Sequence, residues 1–73
     1  MKVQMTVITD HGTYMQSTIV ADSGAASSYI NCIGNQIADP ANQSFHMKTD
    51  NGYDIIFGSK TMSKSVVSFK TIT

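Results

Sequence analysis

Residues 22–38 read DSGAASSYINCIGNQIA, and the patterning of that stretch decides the fold. Ala26, Ile30, Ile33 and Ile37 recur in steps of four, three and four, which sets their side chains on one face of an α-helix. Tyr29 widens this apolar stripe, while Ser27, Ser28, Asn31, Asn35 and Gln36 supply a solvated face. Asp22 and Ser23 are suited to cap the helix start, because their side-chain oxygens accept from the unpaired N–H groups of the first turn. Pro40 cannot continue a helix, so the spacing predicts one running from 23 to about 38.

On either side of this stretch the period drops to two. Residues 2–9 read as a strand with Val3, Met5 and Val7 inward and Lys2, Gln4 and Thr6 outward. Asp10-His11-Gly12 reads as a turn, with Gly12 providing the backbone freedom that a tight reversal needs. Residues 13–21 return as a second strand, with Met15, Ile19 and Ala21 expected inward. Tyr14, Thr18 and Val20 occupy its other face, and the register stays open. Beyond the helix, residues 44–49 and 53–57 form strands around Asn51-Gly52, the favoured centre of a type I′ hairpin turn. Residues 58–64 are polar and turn-like, with Met62 as an anchor. Residues 65–72 form the last strand, with either Val67 and Phe69 or Val66 and Ser68 inward.

The expected fold over residues 1–73 is therefore a single α+β domain of order ββαβββ. An antiparallel sheet of four to five strands carries one helix packed on one face. Its core should combine Ala26, Tyr29, Ile30, Ile33 and Ile37 with Val3, Met5, Val7, Ile19, Phe45, Met47, Ile55, Phe57 and Val67. A chain this short buries only about 60% of the surface its unfolded form exposes, so a second copy is a natural source of further burial. Outward Val20, Ile56 and Val66, together with open sheet edges, favour a homodimer.

Composition narrows the function classes. The chain has no Leu, Glu, Arg or Trp, and eight Ile, five Val and five Met supply most of the core volume. Five Lys balance five Asp, for a formal net charge of zero. Without Arg or a basic stripe, neither nucleic acid nor an anionic membrane surface is an expected partner. A single thiol, Cys32, and no signal-like segment at the N-terminus lead to the expectation of a cytoplasmic protein. Cys32 falls beside the apolar stripe, where a small buried hydrophobe is the ordinary reading. Asn42-Gln43-Ser44 fits the glycosylation sequon, a triplet common by chance.

Few motifs carry chemistry. Gly58-Ser59-Lys60-Thr61 echoes a phosphate loop, but Ser59 stands between Gly and Lys and a strand is expected to follow, so it reads as a turn. His11 falls in a turn and His46 on the polar face of a strand, and neither has a second cysteine or a carboxylate pair with ligand spacing. No metal and no cofactor is therefore expected.

Two resemblances add to this reading. Lys2 to Val7 as KVxMxV, the turn with Gly12, the helix carrying Tyr29-Ile30 and the closing Ser63-Lys64-Ser65-Val66-Val67-Ser68-Phe69-Lys70 resemble small proteins from phages and mobile elements of Gram-positive bacteria. These end in a segment like NKSNIVSIE. That likeness implies a fold and a genetic neighbourhood. Neutral charge, the lack of a catalytic cluster and the open edges with outward Val20, Ile56 and Val66 lead to the expectation of a small non-enzymatic accessory or protein-interaction module, whose partner is a second copy or a host protein. Separately, Ile19-Val20-Ala21-Asp22-Ser23-Gly24-Ala25 resembles the DSGA loop of retropepsin-type aspartic proteases, and Asp54-Ile55-Ile56-Phe57-Gly58 resembles the later hydrophobic-hydrophobic-Gly element. This second likeness implies a dimer in which Asp22, with Ser23 and Gly24 beside it, is paired with its copy to share a proton and activate water. The same letters are explained without chemistry if Asp22 and Ser23 are helix caps.

Overall fold

In a computed structural model of the chain, residues 1–39, 41 and 44–73 are described. Pro40 and the Asn42-Gln43 part of the sequon lie outside the described residues. The elements are β1 (Lys2–Thr9), β2 (Gly12–Ile19), α1 (Ser23–Ala38), β3 (Ser44–Lys48), β4 (Asp54–Gly58), α2 (Ser59–Ser63) and β5 (Val66–Ile72). The α+β class is as expected, but the strands divide into two sheets. One is three-stranded and antiparallel, in the order β2-β1-β5, and the other is the hairpin β3-β4.

The helix starts where the caps placed it. Asp22 is in extended conformation, and its Oδ1 accepts from the Ala25 N–H at 2.8 Å. Ala26 is fully buried, and Ile33 and Ile37 pack half-buried against the core. Tyr29 is also half-buried, and its hydroxyl accepts from Thr18 Oγ1 at 3.2 Å, which ties the helix to β2. Cys32 corrects the expectation of a buried thiol, since it lies on the exposed side of α1.

The second strand is in the opposite phase from the one expected. Ile19 is 86% exposed and does not belong to the core, Met15 is also exposed, and Tyr14 packs against the core instead. The cause is the loop. A three-residue turn at 10–12 would set Met15 opposite Val7, but β1 and β2 are joined by Asp10 and His11 alone, so Thr9 pairs with Gly12 and Val7 with Tyr14. A slip of one residue exchanges the two faces of a strand. Gly12, with φ of 152°, takes the backbone conformation that allows the short loop, while Asp10 and His11 keep negative φ.

The inner face of the three-stranded sheet then carries Val3, Met5 and Val7 on β1. Thr18, Gln16 and Tyr14 lie beside them on β2, and Thr71, Phe69 and Val67 on β5. This settles the open choice on the last strand: Val67 and Phe69 face in. The β3-β4 hairpin adds Phe45, Met47, Ile55 and Phe57 to the same core, and Met62 of α2 closes one side. Phe57 meets Tyr14 edge-on, with centroids 5.3 Å apart, and stacks near Phe45 at 6.4 Å.

Two local expectations also change. Residues 59–63 form a short helix rather than a turn, with Ser63 Oγ donating to the Lys60 carbonyl and Ser65 Oγ to that of Met62. The 49–53 hairpin turn is not type I′, because Asn51 keeps negative φ and only Gly52, at +93°, is left-handed. Thr49 N–H donates to the Tyr53 carbonyl at 2.8 Å and Gly52 N–H to that of Thr49 at 3.0 Å. The result is a three-residue loop closed by a glycine bulge. Thr49 is buried, and its hydroxyl is engaged with Asn51 Oδ1 and the Tyr53 backbone.

Candidate functional site

The outer face and the edges of the three-stranded sheet hold the most distinctive surface. The outer face carries Lys2, Gln4, Thr6 and Ile8 of β1. On β2 it continues as Ile19, Ser17, Met15 and Thr13, and on β5 as Ile72, Lys70, Ser68 and Val66. Ile8 and Val66 are paired neighbours, and Val66 is 62% exposed. Ile19 and Ile72 flank Lys2 at the other end. Lys70 and the hydroxyls of Thr6, Ser17 and Ser68 separate the two apolar ends. As expected, Val66 points outward, and so does Ile56 on β4, while Val20 is half-buried.

The direction of each edge group follows from one bond. Val20 N–H donates to the Met1 carbonyl at 2.9 Å, one step beyond the Lys2–Ile19 pair. Hydrogen-bonded pairs alternate along an antiparallel ladder, so the odd residues of β1 bond to β2 and its even residues bond to β5. The free side of β2 therefore presents Thr13, Met15, Ser17 and Ile19, and the free side of β5 presents Val67, Phe69 and Thr71.

These two edges are treated differently. Asp50, in the β3-β4 loop, docks on β2: its N–H donates to the Met15 carbonyl at 3.0 Å. Its Oδ1 accepts from Ser17 N–H at 2.7 Å, and its Oδ2 accepts from Ser17 Oγ at 2.9 Å. One residue thus takes up two adjacent backbone groups in the middle of that edge, as a neighbouring strand would, which opposes further pairing. On β5, no hydrogen bond among the described residues reaches the outward backbone groups of Val67, Phe69 or Thr71. Nothing in the sequence singles out Asp50 for this role beyond its position just before Asn51-Gly52.

The structure places the other candidates apart from one another. Asp22 is the N-cap of α1, with its carboxylate engaged as described, and a Cβ at Gly24 would lie 3.3 Å from Asp22 Oδ1. Ser23 opens the helix and is exposed. Asp54, from the later protease-like element, lies instead on the outer face of β3-β4, with His46 Nε2 3.2 Å from its Oδ1. His11 lies in the β1-β2 loop and lines a small hollow with Asp10, Lys60, Thr61 and Lys64. Among the described residues, no group of three His, Cys, Asp or Glu side chains could hold a metal ion. No helix among them is long and apolar enough to cross a membrane.

A cleft of about 440 Å³ opens between β2 and the β3-β4 loop, lined by Tyr14, Met15, Asp50, Tyr53 and Ile55 among others. It contains one carboxylate, already bonded to Ser17, and no His, Cys or Lys is among its lining residues. The chain matches no protein-family model, no curated protein and no solved structure, so the surface itself carries the functional reading.

Proposed function

We propose that this chain is a small non-enzymatic protein-interaction module of the phage and mobile-element kind, working in the cytoplasm as a homodimer. The observation that carries this reading is the bare β5 edge bordering an outer face that exposes Ile8, Met15, Ile19 and Val66. Exposed apolar side chains gathered on one sheet face beside unpaired backbone mark a surface that binds protein. Zero net charge removes the long-range repulsion that would keep copies apart. Light scattering coupled to size exclusion at high micromolar concentration is expected to return twice the chain mass. A strict monomer there would remove the homodimer from the proposal.

The dimeric protease reading makes a different prediction at Asp22. As a cap, Asp22→Asn is expected to shift stability by only a few tenths of a kcal/mol in thermal unfolding, since Asn caps about as well as Asp. Peptide hydrolysis by the parent chain that disappears in Asp22→Asn would replace the module reading with an aspartic protease.

A further inference from the structure

The proposed dimer leaves open which surface joins the copies, and the phase of the β-ladder bears on this. Val67, Phe69 and Thr71 each turn an N–H and a C=O away from β1. We infer that two copies join along β5, antiparallel and about a two-fold axis at Phe69, so that their two three-stranded sheets form one continuous sheet. This rests on the homodimer reading above and specifies its seam.

The register follows from three constraints acting together. With Phe69 opposite its own copy, Val67 faces Thr71 of the other chain, so every outward N–H finds a carbonyl and every outward carbonyl an N–H. Moving the axis to Ser68 leaves Thr71 without a partner among these groups. Moving it to Lys70 leaves Val67 unmatched and sets two lysines face to face, which is unfavourable for a cross-strand pair. The Phe69 axis instead places Ser68 opposite Lys70. It also brings Val66 opposite Ile72, so the Ile8–Val66 pair of one copy adjoins Ile72 of the other. Apolar ends that a single chain keeps apart become neighbours across the seam. The β2 edge is disfavoured, because Asp50 already occupies the Met15 carbonyl and the Ser17 N–H at its middle.

The test uses the full chain with Cys32→Ser, an exposed position. One preparation carries Ser68→Cys and another Lys70→Cys, and the two are mixed and oxidised mildly. Positions 68 and 70 form a non-hydrogen-bonded pair across the seam, where Cα atoms approach to about 4.5 Å, within disulfide reach. The expected product is the mixed disulfide, in excess over both symmetric ones. In parallel, Thr71→Pro removes an N–H that β1 does not use, a change that edge strands tolerate. It is expected to keep the far-ultraviolet circular dichroism of the parent while weakening dimerisation by roughly tenfold or more, because symmetry removes the bond twice. A parent that is dimeric, but gives no preferred mixed disulfide or dimerises equally well as a folded Thr71→Pro variant, overturns this seam and leaves the homodimer standing. A monomeric parent overturns both. If Thr71→Pro does not fold, the cross-link alone decides.

Discussion

The two edges of the three-stranded sheet differ in what the rest of the chain does to them. Both strands are short, both pair with β1, and both expose backbone groups on the far side. On β2, Asp50 supplies an N–H and one carboxylate oxygen to backbone groups that a neighbouring strand would pair, and its second oxygen to the Ser17 hydroxyl. On β5, nothing among the described residues plays that part. The placement of a single loop residue therefore distinguishes the two edges, and strand propensity is a poor guide to which edge is which.

The largest expected effect comes from the strand both edges share. Met5 is buried at the centre of β1, between Gln16 and Phe69, and Met5→Ala is expected to cost about 2–5 kcal/mol in urea unfolding. Amide exchange should then accelerate in β2 and β5 together; loss in one alone would mean that the edges are stabilised independently.

A smaller change breaks the contrast itself. Asp50→Ala removes both carboxylate bonds to Ser17, at an exposed site, and is expected to cost about 1–2 kcal/mol. It also frees the Ser17 N–H on the second edge, so light scattering should show species larger than a dimer. If Asp50→Ala associates like the parent, Asp50 is not what blocks β2.

The mildest variant tests how the loop presents that aspartate. Gly52 has φ of +93°, with open space around the position of a Cβ, so Gly52→Ala meets backbone strain without a clash. The expected loss is about 1 kcal/mol, with faster exchange at Ser17 as Asp50 loses its fixed position. An unchanged Ser17 amide would show that the loop holds Asp50 without the glycine.

Much of the architecture is legible in the sequence. The four-three-four spacing from Ala26 to Ile37 and the Asp22 cap defined α1, because helix periodicity and first-turn N–H groups are local matters. Alternation placed Val3, Met5 and Val7 on β1 and Phe45, Met47 and Phe57 on the β3-β4 hairpin inside, for the same reason. The phase of β2 was not legible: Met15 and Ile19 are the more apolar set, and only the two-residue length of the 10–11 loop turned them outward. The short helix at 59–63 was hidden by polar letters that suit a turn equally well, and Cys32 by its place beside the stripe. Of the candidate site, outward Val66 was visible in the alternation, whereas the closed β2 edge was not.

From its letters alone, this chain determined its long helix, the segments that extend, and which apolar side chains seek burial, since those preferences act over a few residues. Only the tertiary structure decided that the strands part into two sheets and that Asp50 meets Ser17 across 33 positions of sequence. Such long-range pairings depend on how the loops close and which backbone groups they leave unsatisfied. That geometry is set when all the elements are packed together, and no short stretch of sequence contains it.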